Sequence, residues 1–298
     1  MIPFLHSLYT STIVMATPLI LCSLGGLMTY HAGIMNVAME AIMLGSAFSA
    51  VTFSYLFSSA TIGLLAAIVT GVIISLFYSF FVITLRANNF AIGIAVNIFI
   101  ASLTLFLTRI LFPGKDAFNS PDIKAIARLR IGTGVPLVDV LFFNFSLLVY
   151  ATILLVVIVR YILYKTPYGL WIRSAGSAPT ALARAGKRPE MIQYAASIAA
   201  GLLVGLSGAQ LSISNVVLFS RNMSAGRGFI CLAAILIARG KPFQTTLVAV
   251  LFGFFSALAI QLQSFNIPTH FLQMIPYAVA IVTLAVMEMS GRKRSLIT

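Results

Sequence analysis

The residues best suited to chemistry in this sequence are a carboxylate and an amide inside an apolar stretch, Glu40 and Asn36. Being four residues apart, they would share one face of a helix, and Gly33 could open that helix so that its positive dipole end favours the carboxylate. Ionisable side chains at membrane depth cost about 2.5–3.5 kcal/mol on insertion scales, so they are candidates for function. Two interpretations stay open. The pair could bind a polar ligand or line a pore, or Glu40 could cap a neighbouring broken helix or be solvated near the interface.

Two more amides in apolar runs, Asn97 and Gln261, join this candidate set, although amides inside a bundle more often connect helices than bind a ligand. The sequence contains no G-x-x-x-x-G-K-[ST] phosphate loop, no H-E-x-x-H pair and no G-x-S-x-G turn. Its 3 histidines and 2 cysteines lack the spacing of metal ligands. We therefore expect neither an enzyme nor a bound cofactor.

The elements that position these residues are continuous apolar runs. The chain is 60% hydrophobic and 8% charged, whereas soluble domains carry about 25% charged residues. Runs of about 20 apolar residues match the thickness of a bilayer core, and they predict an all-α polytopic membrane protein with about 8–10 transmembrane helices in a single domain, 1–298. The runs lie at about 8–29, 34–57, 61–85, 90–112, 141–164, 191–214, 226–239, 243–263 and 268–289.

The run at 226–239 is short and opens on Gly226, Arg227 and Gly228. This pattern predicts a half-helix or a steep short span, the broken type of helix that lines transport paths. The net charge of +13 falls between the apolar runs, which indicates topology signals and contacts with anionic membrane lipid rather than nucleic acid. The cytoplasmic side holds the larger share of the cations if Arg86 and the cations of 160–188, 239–241 and 292–294 lie inside, with Arg227 among the outer ones.

One basic segment, 165–190, interrupts the apolar pattern. Small residues over Pro179–Ala185, with proline in the first turn and Gly186 as a stop, predict a short amphipathic helix. Two turns cannot cross a bilayer, and short loops rich in Lys and Arg stay cytoplasmic. The segment is then either a contact helix that receives force from a partner or an ordinary positive-inside loop. The loop 114–139 would lie on the extracytoplasmic side, as a docking surface or a solvated connector.

Seven blocks, taken together and in order, resemble one family. They are ATPLILCSLGGL at 16–27, AGIMNVAMEA at 32–41, LRANNFAIGIAVN at 85–97, KTPYGLWIRSAGSAPTALARAG at 165–186, AGLLVGLSGA at 200–209, AGRGFICLAAIL at 225–236 and LFGFFSAL at 251–258. The sequence resembles the permease subunits of ABC importers in the branched-chain amino acid, ribose and nucleoside group, and it is most similar to the nucleoside and simple-sugar branch. The resemblance covers nearly the whole chain.

This resemblance implies a bundle of the type II ABC importer permease kind, with broken or short helices, in the bacterial cytoplasmic (inner) membrane. It also implies partners: ABC ATPase subunits, a second permease chain that is identical or related, and an extracytoplasmic substrate-binding lipoprotein. No nucleic acid or cofactor is implied. In that family the basic segment would be the region that couples to the ATPase. The carried-over coupling residues are Arg173, Gly176, Pro179, Ala181, Ala183 and Gly186.

The expected cargo is a small polar solute, a nucleoside first and a simple sugar or flavin-like compound next. The expected solute path is lined by Asn36, Glu40, Asn97 and Gln261. The chain departs from the family pattern at Ala41, where a glycine is usual, at Ser177, where an acid is usual, and at 239–242. These departures concern the cargo rather than the family. The alternative is a secondary transporter that couples to protons through Glu40 and needs no ATPase.

Overall fold

The computed structural model describes residues 2–112, 117–129, 145–263, 274, 277–283 and 285, with side chains from residue 6 onwards. The chain in these ranges is predominantly helical, and residues 277–283 are helical as well. A two-stranded antiparallel sheet joins β1 (Ala117–Phe118) to β2 (Phe219–Ser220). The helices are α1 (Ile2–His31), α2 (Met39–Phe57), α3 (Ala60–Ser79), α4 (Asn89–Leu111), α5 (Leu147–Lys165), α6 (Pro167–Ser177), α7 (Pro179–Arg184), α8 (Pro189–Ala209), α9 (Arg227–Ile237) and α10 (Pro242–Leu262).

Seven helices of the described chain are long and apolar enough to cross a membrane. They are α1, α2, α3, α4, α5, α8 and α10, with α3 and α8 each lengthened by a π-helical turn, Phe80–Thr84 and Gln210–Val216. The expectation of an all-α polytopic membrane protein is confirmed. The last apolar run, 268–289, falls largely outside the described residues.

Three of these helices form the centre of the bundle. In α1, α2 and α8, 72–83% of the most apolar stretch is buried, against 22–33% in α3, α4, α5 and α10. The outer four helices expose large apolar side chains such as Ile98, Ile153 and Leu247. Such a surface is costly in water and suits contact with lipid.

Small residues allow a close helix crossing between α3 and α8. A Cβ atom on Gly201 would lie 2.7 Å from the carbonyl oxygen of Gly71, and one on Gly71 would lie 2.9 Å from the Cα of Gly205. In lipid, helices associate through such packing rather than through the hydrophobic effect. The same device joins α10 to α1, where a Cβ on Gly253 would lie 2.5 Å from that of Ala16.

The cation-rich loops meet at one end of the bundle, which we call the basic end. There His31 closes α1 with its Nε2 2.8 Å from the carbonyl oxygen of Gly240, and Gly176 packs against the backbone at Gly33. Arg86 and Pro179 line one cavity at this end. The positive-inside rule predicts that the basic end faces the cytoplasm.

Two helices, α2 and α9, begin inside the bundle instead of at its ends. Helix α9 has 11 residues and therefore rises about 16 Å, whereas the neighbouring α10 rises about 31 Å. The predicted short helix at 226–239 is thus confirmed. Because α9 ends beside the basic end, its first residue, Arg227, lies about halfway along the bundle rather than in an outer loop.

The described part of the loop 114–139 packs on the opposite end. The backbone N–H of Lys124 donates to Ser54 Oγ over 3.1 Å, and that hydroxyl donates to the Lys124 carbonyl over 3.0 Å. Phe118 is buried and stacks on Phe112. Residues 114–116 and 130–139 of the predicted loop lie outside the described residues.

The α3–α8 crossing can be tested by adding bulk to Gly201. Leucine there would force the two backbones apart, since overpacking a tight contact costs about 1–3 kcal/mol or more. We expect Gly201→Leu to lower the melting midpoint in detergent, measured by size-exclusion chromatography after heating. Ala195→Leu, at an exposed position of the same helix, serves as the control. Equal midpoints for the two variants would contradict this crossing.

Candidate functional site

The start of α2 is held by two asparagines. The Oδ1 of Asn97, on α4, accepts the backbone N–H of Ala41 over 2.9 Å, and its Nδ2 donates to the Val37 carbonyl over 3.1 Å. The Oδ1 of Asn36 accepts the N–H of Ala38 over 3.0 Å. The first N–H groups of a helix have no partner within it, and no water can satisfy them in the bilayer core. The asparagines supply those partners.

Asn36 differs from the sequence expectation in one respect. It lies in residues 32–38, the non-helical link between α1 and α2, so it does not share a helical face with Glu40. Gly33 ends α1 in the left-handed conformation, with φ of +83°, rather than opening α2. The Nδ2 of Asn36 is buried and has no hydrogen-bond partner within the described chain.

The start of α9 is held by Glu40. Its Oε1 accepts the backbone N–H of Gly226 and its Oε2 that of Gly228, each over 2.7 Å. Glu40 lies in the first turn of α2 and is only 8% exposed. The positive ends of two helix dipoles therefore meet at one carboxylate, which both dipoles stabilise. Of the interpretations left open by the sequence, capping a broken helix is the one whose contacts are present.

Gly228 is needed for this contact. A Cβ atom there would lie 2.5 Å from the backbone nitrogen of Glu40 and 2.9 Å from its Oε2. Any other residue would push the start of α9 away from the carboxylate. Sequence reasoning noted Gly228 only as part of a short run, because its partner is 188 residues away.

A cavity of about 500 Å³ opens beside the start of α9. Polar groups from three parts of the chain line it, among them Arg227, Ser256 and Tyr277. Arg227 donates to the Met223 carbonyl over 2.7 Å, and the Tyr277 hydroxyl donates to the Ala225 carbonyl. Sequence reasoning missed Arg227 as a lining residue because it was assigned to an outer loop.

Gln261 does not join the other three candidates. It lies near the end of α10, where its Nε2 donates to Ser7 Oγ of α1 over 2.6 Å. Asn36, Glu40 and Asn97 instead surround the first turn of α2. Gln261 therefore connects two helices at the end opposite the basic end, and its role in a solute path stays a prediction.

The link 32–38 also contacts the basic segment. Gly176 of α6 lies so close that a Cβ on it would be 2.4 Å from the His31 carbonyl oxygen. Gln193, in the second turn of α8, donates to the Ala32 carbonyl over 3.1 Å. The first contact joins the basic segment, and the second joins α8, to the stretch of backbone that carries Asn36 and leads into Glu40.

The predicted short helix in the basic segment is present as α7. Pro179 occupies its first turn, and Gly186 follows its end with φ of +76°. Leu182 is buried and anchors the helix, while Pro179, Ala181, Ala183 and Gly186 are exposed. The Lys187 ammonium lies 4.4 Å from the centroid of the Trp171 ring, which ties the end of α7 to α6. Helix α7 therefore presents most of its surface outward.

The two remaining coupling candidates lie on α6. Arg173 stacks over the Tyr164 ring at 5.0 Å, and Gly176 makes the close contact with the link described above. A cavity of about 430 Å³ separates α7 from the link and from the end of α3, with Arg86 and Glu190 in its walls.

Comparison with known proteins assigns the family. A family model described as "Branched-chain amino acid transport system / permease component" matches residues 8–286. The chain belongs to this permease family. Its permeases are transport components rather than enzymes, and the seven candidate spans agree with a multi-pass protein of the inner membrane. The family resemblance seen in the sequence is confirmed.

Three curated relatives align with this chain over most of its length and most of their own. The "Nucleoside ABC transporter permease protein NupC" of Lactococcus lactis is 30% identical over 94% of this chain and 92% of its own length. The "Guanosine ABC transporter permease protein NupQ" of Bacillus subtilis is 30% identical over 95% and 92%. The "Putative glucose ABC transporter permease protein TsgC13" of Haloferax volcanii is 28% identical over 89% and 80%. No solved structure gives a significant match.

The contact between α2 and α9 can be tested by Glu40→Gln. Glutamine offers one acceptor oxygen to two N–H donors, so one donor at the start of α9 would be left unsatisfied. A hydrogen bond to a charged group contributes about 1.5–3 kcal/mol, and we expect a loss of this size in the permease's free energy of unfolding. Reversible unfolding in mixed micelles measures it.

The matched control is Glu190→Gln, which removes an exposed carboxylate from the first turn of α8. Its effect should stay within about 1 kcal/mol, the size of an exposed charge's interaction with a helix dipole. A Glu40→Gln variant as stable as this control would show that the carboxylate does not hold α9.

Proposed function

We propose that this permease is the membrane subunit of an ATP-binding-cassette importer that brings nucleosides into the cell. The observation that carries the proposal is the similarity, along nearly the whole chain, to two permeases named for nucleosides and guanosine. A relative named for glucose keeps simple sugars as the next candidate. Residues 1–298 would form one permease domain, paired with a second permease chain. An ATPase supplies the energy and a binding protein delivers the solute.

The mechanism follows from the contacts of the basic segment. An ATPase subunit that engages the exposed side of α7 would displace α6 with it, since Lys187 and Trp171 tie the two together. The Gly176 contact would carry that displacement into the link 32–38, which also accepts the hydrogen bond from Gln193 of α8. The starts of α2 and α9 then move together because Glu40 joins them. Such an element has two arrangements, and the ATPase biases their populations.

The solute path is proposed to pass the starts of α2 and α9. Buried polar groups among apolar side chains suit an uncharged ligand with hydrogen-bonding edges, such as a nucleoside. Asn36 offers the clearest donor, because leaving a buried N–H without a partner costs about 1–3 kcal/mol and a ligand oxygen would remove that cost. Glu40 and Asn97 would position the two helices, with their polar groups already engaged.

The cargo is tested by transport. The permease is reconstituted in liposomes with its ATPase and binding protein, with ATP supplied to the ATPase. We expect accumulation of radiolabelled guanosine that unlabelled nucleosides inhibit and glucose does not. Inhibition by glucose alone would instead favour a sugar importer. Accumulation driven by a proton gradient without the ATPase would refute the proposal and favour the proton-coupled alternative.

The coupling role of α7 is tested by Ala183→Glu. A carboxylate added to a docked surface would be desolvated without a partner, and a penalty of 1.4 kcal/mol already corresponds to about tenfold. We expect substrate-stimulated ATPase activity of the reconstituted complex to fall about tenfold or more. Thr61→Glu is the control: the site is exposed, at the other end of the bundle and in the first turn of α3, where helix dipoles favour acids. Equal activity of both variants would remove α7 from the coupling path.

A further inference from the structure

A groove of about 670 Å³ runs between α5 and α10 at the basic end. Its α5 wall is one face of the helix, because Val157, Tyr161 and Tyr164 recur at spacings of four and three residues. Phe243, in the first turn of α10, forms part of the opposite wall. Tyr161 and Phe243 are 60% and 62% exposed, so the groove opens on the outside of the bundle.

The groove has a strongly one-sided charge. Arg160, Lys165 and Lys241 line it, and its described lining residues include no acid. All three cations are exposed and lie where the apolar walls meet the basic end. Helix α10 also begins here, so its dipole adds to the positive potential. Apolar and aromatic side chains form the floor of the groove and cations form its edge. The floor therefore suits the acyl chains of a phospholipid, and the edge suits an anionic headgroup.

We propose that this groove binds an anionic phospholipid of the cytoplasmic leaflet. The acyl chains would lie along Val157 and Phe243, and the phosphate would face the three cations. Tyr161 and Tyr164 would lie at the level of the headgroups, where tyrosine is enriched in membrane proteins. Basic pockets between helices on the cytoplasmic side suit anionic headgroups. The site would lie beside the basic segment, since the guanidinium of Arg173 stacks over the ring of Tyr164.

Fluorescence quenching tests the site directly. The full chain has 1 tryptophan, Trp171, so Phe243→Trp in a Trp171→Phe background gives a single reporter in the groove. The protein is reconstituted in phosphatidylcholine vesicles that contain increasing fractions of dibrominated phosphatidylglycerol or, separately, dibrominated phosphatidylcholine. We expect phosphatidylglycerol to bind at the reporter about fivefold more tightly or better, the factor that one cation near an anionic surface contributes.

Two controls localise the effect. Replacing Arg160, Lys165 and Lys241 by glutamine should abolish the preference, whereas replacing Arg184, Lys187 and Arg188 removes the same charge outside the groove and should preserve it. A reporter at Phe99, which is exposed on α4, should show equal binding of the two lipids.

Three results would overturn the proposal. The first is equal quenching by both lipids at position 243, which indicates ordinary lipid contact. The second is a preference that survives neutralisation of the three groove cations. The third is a reporter shielded from both lipids, which indicates that protein, such as a second copy of the chain, covers the groove.

Discussion

The carboxylate of Glu40 is the interaction on which the rest of this structure depends. Backbone N–H groups in the bilayer core must find partners inside the protein, yet α2 and α9 both begin inside the bundle. Glu40 meets that requirement for α9 from within the first turn of α2, accepting two N–H groups at 2.7 Å. Asn97 and Asn36 do the same for α2. Removing these partners would leave two helix ends unsatisfied where no water reaches them.

This arrangement combines long, closely packed helices with shorter elements that begin inside the bundle. Glycine contacts between α3 and α8 and between α1 and α10 hold the long helices at van der Waals distance. The link 32–38 and α9 are shorter. The link contacts Gly176 of the basic segment and Gln193 of α8, and the backbone that follows α9 contacts His31 at Gly240. In the proposed coupling, a displacement at the basic end would therefore act on the elements that begin inside the bundle. Packed interfaces of this kind tend to have discrete arrangements rather than continuous ones.

Much of this could be predicted from local sequence. Pro179 and Gly186 set the bounds of α7 because proline fits a first turn and glycine accepts a positive φ, and the short run at 226–239 predicted a broken helix. The helical face assigned to Asn36 and Glu40 was wrong, because α2 begins only at Met39. The bond between Glu40 and Gly228 joins residues 188 apart. Periodicity and propensity describe neighbours along the chain, so they could not identify this partner.

Helix α7 must face the cytoplasm if an ATPase is to engage it, and site-directed labelling measures this most directly. Both native cysteines, Cys22 and Cys231, are buried and free, so Ala183→Cys introduces a single exposed thiol. A membrane-impermeant maleimide should label it in inside-out vesicles and not in intact cells, and bound ATPase should protect it. Labelling of Cys at position 183 in intact cells, with none in inside-out vesicles, would contradict the account.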